Sequence, residues 1–262
     1  VFYAIKAGKN DGIFIPGVKN CIHAVFKHHD PHGDVYAYVS EWLSEEMSGG
    51  KRPYVPHMIN LPVCGDNLRE KLGIPDNAIV FGRYGGKETF DLQFAKRAVY
   101  SVAKKRPDIY FLFMNTDDFI FNQRYFKKRI LNYLISPIKK KKKTFPNIIF
   151  LKGVSEPLAK VKFIQTCDAM LHARKQGESF GIACGEFSIK NKPVITCNGS
   201  FIKERSHIEI LGNKGIYYTN RSQLEEILLN FYPQKQSEWD AYSEFYDPVP
   251  IMKKFKEVFL DA

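Results

Sequence analysis

From Asn77 onward, short apolar runs alternate with segments whose apolar positions recur at helical spacing. Ala78 to Gly82 reads as a strand closed by a glycine turn, Leu92 to Lys104 as a helix, and Asp108 to Asn115 as a second strand. Phe121 to Ile135 reads as a basic amphipathic helix closed by Pro137. Asn147 to Lys152 is a strand and Glu156 to Thr166 a helix. They are followed by a strand over Asp168 to Ala173, a short helix over Phe180 to Ile189, and strands at Pro193 to Cys197 and Gly215 to Thr219. Helices are expected over Arg221 to Phe231 and Gln234 to Phe245, and over Ile251 to Leu260 after a break at Pro248-Val249-Pro250. Such alternation predicts βαβ units wound by right-handed crossovers into one doubly wound parallel sheet.

The residues before Pro62 follow another pattern. Val1 to Ile5, Asn20 to Phe26 and Val35 to Ser40 are strand-like, Glu41 to Met47 is a short helix, and Tyr54-Val55-Pro56 leads into an irregular linker. This segment reads as the closing portion of a separate α/β domain. The expected division is 1–62 for that portion, 63–246 for the doubly wound domain, and 247–262 for a terminal helix packing back on the first part. The chain opens on Val1 rather than Met, already inside a strand, so further sequence is expected upstream.

With 262 residues and 44% hydrophobic content, the chain buries a sizeable core. No apolar run is long enough to span a bilayer and no secretory signal is present. The five cysteines, Cys21, Cys64, Cys167, Cys184 and Cys197, are odd in number, widely spaced and free of any C-x-x-C. That usage predicts buried free thiols in a reducing compartment, hence a cytoplasmic location. The formal net charge of +11 favours anionic partners. Much of it is local, in Arg124, Lys127, Lys128 and Arg129 and in the run Lys139 to Lys143. The plain reading is a solvated helix face and a lysine-rich loop; the sharper one is peripheral contact with an anionic membrane surface. No aromatic-interleaved RNA-binding signature appears, so nucleic acid is the weaker choice of partner.

Candidate chemistry gathers at two turns. Gly177-Glu178-Ser179-Phe180-Gly181-Ile182-Ala183-Cys184-Gly185-Glu186 joins a strand to a helix, with two carboxylates eight residues apart. A turn at the carboxyl end of a strand in an α/β sheet is where ligands bind. Glu178 falls in that turn, and Glu186 lies about two helical turns further on. Gly82-Arg83-Tyr84-Gly85-Gly86-Lys87 ends the first strand of the sheet, where glycines admit a phosphate and Arg83 and Lys87 supply charge.

The first element resembles the E-x7-E motif of retaining nucleotide-sugar glycosyltransferases of family 4, usually written E-G-F-G-x-x-x-x-E and followed by a K-P-V strand, here Lys192-Pro193-Val194. The second resembles that family's G-R-x-x-x-x-K-G turn, matching at Gly82 and Arg83, with Lys87 one residue early and Glu88 in place of the glycine. The resemblance implies a GT-B fold, an α/β architecture of two facing Rossmann-like domains, here with a truncated N-terminal α/β portion. It implies a catalytic set of Glu178, Arg83 and Lys87, with Glu178 on the donor sugar and the two cations on the diphosphate. It implies donor binding by Gly82, by backbone atoms of Val154 at the base, by the amides of Gly181 and Ile182 at the diphosphate, and by Glu186 at the ribose. No metal and no cofactor beyond the nucleoside diphosphate sugar are implied, and the acceptor is a glycan, lipid or other hydroxyl compound.

The expected activity is therefore sugar transfer with retention of configuration. Alternatives are a catalytically incomplete nucleotide-sugar-binding module, a nucleotide-sugar epimerase of related fold, and a basic nucleic-acid-binding protein. His23, near the end of a strand, is a candidate for facing the donor sugar, although a lone histidine is more often structural. His28, His29 and His32 with Asp30 and Asp34 lack a recognised ligand spacing and read as a polar loop.

Overall fold

Six parallel strands form the main sheet of the computed structural model, which describes residues 1–119, 145–233 and 238–261. They are β4 (Ile79–Tyr84), β5 (Ile109–Met114), β6 (Ile148–Leu151), β7 (Ala169–His172), β9 (Val194–Cys197) and β11 (Gly215–Tyr218). Their order across the sheet is β11-β9-β7-β4-β5-β6. The chain thus runs outward from β4 to β6, returns to the other side of β4 at β7, and runs outward again. That is the doubly wound Rossmann order, with its reversal between β4 and β7.

Successive side chains of a strand point to opposite faces, and both faces are covered. Val80, Leu112, Met114, Met170 and Val194 face α4 (Pro157–Thr166) and α5 (Ile182–Ser188) through Phe163, Cys167 and Phe187. Phe81, Phe111, Phe113, Leu171 and Ile195 face α3 (Gln93–Lys105) and α7 (Arg221–Asn230). The α3 helix buries Ala95, Ala98, Val99 and Val102, a stripe at i, i+3, i+4 and i+7. The α4 helix starts where Pro157 takes the first helical position and the Glu156 carboxylate accepts from the amides of Leu158 and Ala159.

A second, smaller sheet holds β1 (Phe2–Lys6), β2 (Asn20–Ala24) and β3 (Val35–Tyr38), all parallel, followed by α1 (Glu41–Ser48). The α9 helix (Pro248–Phe255) and the π-helical turn Lys256–Leu260 cover it. Cys21, Ala37 and Val55 pack there with Ile251 and Phe259, and the Cys21 thiol donates to the Phe259 carbonyl at 3.2 Å. Ser40 joins the two sheets: its hydroxyl accepts the α1 capping bond from Leu43 and donates to the Ser179 carbonyl at 2.6 Å. All five cysteines are free thiols, four of them buried and Cys64 half-buried.

Two expectations need correction. Pro248-Val249-Pro250 does not break the terminal helix but starts it, because Asp247 caps the Val249 amide and Pro248 occupies the first turn. The helix expected over Gln234 to Phe245 is reduced, in its described part, to α8 (Ser243–Tyr246). The amides of Trp239, Ala241 and Tyr242 are taken by side-chain oxygens of Asn191, Ser188 and Asp240, so the preceding segment does not coil. Three short elements went unforeseen. They are α2 (Arg69–Leu72), the two-strand pair β8 (Gly177–Glu178) and β10 (Glu204–Arg205), and α6 (Ser206–Leu211). The basic helix over Phe121 to Ile135 and the run Lys139 to Lys143 lie outside the described residues.

Candidate functional site

In an open α/β sheet the connections leaving two neighbouring strands in opposite directions open a crevice at their carboxyl ends. Here those strands are β4 and β7, and both predicted turns lie at that crevice.

The turn after β4 is drawn inward. Arg83 is only 3% exposed, and its guanidinium donates to Thr116 Oγ1, Thr89 Oγ1 and the Gly86 carbonyl, the last at 2.9 Å. Burial lowers its pKa to about 10, against which the nearby Glu178 carboxylate acts. In this arrangement Arg83 braces its own loop. Gly82 faces the helix layer: a Cβ there would collide with Cys167 Sγ, so the missing side chain serves the packing of α4 on β4. Lys87 is exposed. It borders a cavity of about 610 Å3 also lined by Asn115, Asp117, Lys152, Val154 and Ser155. Asn115 ties this region together. Its backbone is left-handed at φ 50°, its amide donates to the Gly85 carbonyl at 2.8 Å, and a Cβ on Gly153 would stand 2.8 Å from its side-chain oxygen. The turns after β4, β5 and β6 thereby close on one another, with Val154 at the cavity wall.

The turn after β7 presents a carboxylate instead. Gly177, at φ 79°, lets β8 lie so close to β10 that any Cβ would strike the Glu204 carbonyl. This fixes the Glu178 backbone opposite Arg205. The Glu178 side chain is 23% exposed; His172 Nε2 meets Oε1 at 3.1 Å and Arg174 Nη1 donates to Oε2 at 2.7 Å. Burial alone would raise its pKa, but the contacts with His172 and then Arg174 outweigh burial and hold it below the ordinary value.

Gly181, at φ 93°, caps α5 with its α-carbon directly over His207: a Cβ would sit 2.8 Å from His207 Cβ. Ile182, the first residue of α5, is exposed. Glu186 is nearly buried on the same helix. One of its oxygens accepts from the Tyr84 hydroxyl and the other from Lys160 Nζ at 2.5 Å. Burial, then the Glu186 charge, drives the Tyr84 pKa well up, so this phenol keeps its proton.

The turns bearing Glu178 and Arg83 therefore flank one crevice, with Lys87 and Val154 at the adjoining cavity. His23 lies elsewhere. It is 2% exposed, donates from Nε2 to the Val55 carbonyl at 2.7 Å and accepts from the Tyr3 hydroxyl at 2.6 Å. Burial, then His57, lowers its pKa to about 4, so it is a neutral core histidine that ties the linker to β2. Sequence reasoning missed His172, Arg174, Thr196 and His207 around Glu178, and Tyr84 and Lys160 around Glu186. His172 carried a usable signal, as a polar residue ending an otherwise apolar strand. Among the described residues no cluster of three or more His, Cys, Asp or Glu is arranged to hold a metal ion, and no helix is long and apolar enough to cross a membrane.

These features define a GT-B-like α/β fold, and solved structures agree. The chain is similar to Alr3699/HepE of Anabaena in complex with UDP-glucose, with a TM-score of 0.63 and 15% identity over 93% of this chain and 72% of that one. It is also similar to TarM of S. aureus, at a TM-score of 0.62 and 12% identity over 94% and 51%. A third is a glycosyltransferase of Rickettsia africae, at 0.58 and 15% over 87% and 64%. The chain spans 62% of HepE as solved with UDP and glucose. No protein-family model matches the chain, and no curated protein matches its sequence.

Proposed function

We propose that this chain carries the donor-binding half of a retaining, metal-independent glycosyltransferase of the family 4 type. The observation that carries this reading is the convergence at the β4/β7 reversal. The turn after β7 carries a partly exposed carboxylate held below its ordinary pKa, and the turns after β4, β5 and β6 line a cavity bordered by Lys87 and Val154. The donor would be a nucleoside diphosphate sugar, the kind of ligand bound in the HepE complex with UDP-glucose. Val154 would meet the base and Glu186 the ribose hydroxyls. The amides of Gly181 and Ile182, together with Lys87, would meet the diphosphate. Glu178 would hold a hydroxyl of the sugar, and Gly82 would give α4 its close approach to β4.

In the transfer, the bond from the anomeric carbon to the diphosphate oxygen breaks while the acceptor oxygen bonds on the same face. The acceptor proton passes to the leaving phosphate. Cationic groups and amides aimed at that phosphate stabilise its developing charge, usually the largest catalytic contribution. Residues 1–62 would form the closing part of the acceptor-side domain and 63–246 the donor domain, with 247–262 bridging back.

A second reading is a donor-binding module without turnover. It is favoured by Arg83, whose terminal nitrogens are engaged within the protein, and by Glu186, whose two oxygens already have partners. A thermal-shift panel of UDP, GDP and ADP sugars, followed by product analysis, tests both. Binding with turnover that falls in Glu178→Ala and Arg83→Ala supports the enzyme. Binding without turnover supports the module, and no shift with any sugar nucleotide sinks both.

A further inference from the structure

Behind Glu178 lies a buried polar chain for which the donor reading has no use. His172 ends β7, Thr196 sits on the adjacent β9, and His207 sits on α6. Thr196 Oγ1 stands between the two rings, 2.8 Å from His172 Nδ1 and 3.1 Å from His207 Nε2, and the ring centroids are 4.8 Å apart. Thr196 and His207 are fully buried, and His207 Nδ1 has no hydrogen-bond partner.

A hydroxyl has one proton, so the chain has a direction. With a proton on His172 Nε2 facing the carboxylate, Nδ1 is bare and Thr196 donates to it. Thr196 then accepts from His207 Nε2–H, and the unpartnered His207 Nδ1 is left as a lone pair. Reversing the order would leave a bare His172 Nε2 facing an ionised carboxylate, which only accepts, so the Glu178 carboxylate sets the direction. Burial first, then His172, Arg205 and Arg174, opposes a second proton on His207, and the Glu178 backbone carbonyl only partly offsets this. The acidic neighbours, Glu178 and Glu204, stand on the paired strands β8 and β10, and the buried Glu204 carboxylate accepts from Gln176 Nε2 at 2.9 Å.

Building on the donor reading, we propose that His172 is a positioning residue for Glu178, locked by Thr196 and His207 in the tautomer that donates from Nε2 to the carboxylate. The carboxylate is then gripped from two sides, by His172 on Oε1 and Arg174 on Oε2, and its remaining lone pairs are aimed at a sugar hydroxyl. The arrangement follows the general rule that the partner of one imidazole nitrogen decides what the other nitrogen does.

Calorimetric titration of the folded chain with UDP, GDP and ADP, and with UDP-glucose, GDP-mannose and ADP-glucose, tests this. The readout is the preference for a sugar conjugate over its own diphosphate. His172→Asn keeps a group near Nδ1 but removes the donor to Glu178. It should lose about ten- to a hundredfold of that preference while diphosphate affinity stays unchanged. His172→Gln places an amide near the old Nε2 and should retain most of the preference. Thr196→Val should lose about three- to tenfold, and Thr196→Ser should restore it. This serine/valine pair decides the matter if His172→Asn does not fold. Preference retained in both His172→Asn and Thr196→Val overturns the positioning role and leaves the donor reading standing. A wild-type chain that binds a diphosphate no less tightly than its conjugate removes the sugar contact of Glu178, and the positioning role with it.

Discussion

His23 and His172 stand in matching places. Each lies near the carboxyl end of an interior strand of a parallel sheet, each is almost wholly buried, and each has both ring nitrogens engaged. They differ in what they touch. His23 meets a phenol and a backbone carbonyl, neither of which carries charge, and it stays neutral to a pKa of about 4 because burial and His57 oppose a proton. His172 meets a charged and partly exposed carboxylate in the turn that follows its own strand. Position and burial mark a histidine as constrained, and only its partners show whether it serves the packing or the chemistry.

The strongest test removes the partner that makes the difference. Glu178→Ala should lower kcat/KM by about a hundredfold or more, or abolish the preference for a sugar conjugate if turnover is absent. His23→Gln should leave the preference unaltered. An equal effect of the two would erase the distinction between the histidines.

A pH titration of stability sharpens the other side. His23 binds no proton in the fold between its ordinary value near 6.5 and its folded value of about 4. Its contribution is therefore complete above about pH 6.5 and is lost as pH falls toward 4. The loss amounts to about 3 kcal/mol by linkage. Urea unfolding from pH 7 to 4 should show this fall, and His23→Gln should flatten it. Part of the slope should remain, because burial, and then His172, pushes the His207 pKa down as well. No change of slope in His23→Gln would mean that the ring is hydrated.

Gly82 extends the comparison from histidine to glycine. Gly82→Ala should destabilise by about 1–3 kcal/mol through collision with Cys167, and Cys167→Ala should recover most of that in the double variant. Failure of the rescue would return Gly82 to a role in the crevice. The smallest effect belongs to the cover over His23. Asp247→Ala, which uncaps α9, should cost about 1 kcal/mol in urea unfolding and leave nucleotide binding unchanged.

Most strands and longer helices were legible because each is an apolar run or stripe punctuated by Gly or Pro, and the observed ends fall within a residue or two. The pair β8/β10 was not, since two residues carry no period. That the described residues 238–242 do not coil was hidden for another reason: Ser188 and Asn191, some fifty residues upstream, take the amides of Ala241 and Trp239. The two site turns were visible as spacing. The inward fold of Arg83 was not, because it depends on Thr89 and Thr116 meeting it from two different loops. His172, Thr196 and His207 become neighbours only through the pairing of β7 with β9 and the turn of α6 beneath Gly181.

The cover over Cys21 and His23 also dictates an order of events at the ribosome. Phe259 seals a core whose other walls, Cys21, Ala37 and Val55, were synthesised some two hundred residues earlier. At about 5–20 residues per second, the small sheet waits about ten to forty seconds for its lid while the six-stranded layer is being made. During that interval its open apolar face is exposed to chaperones, and a ribosome stalled before Asp247 would release a chain with a finished crevice and an unsealed first sheet.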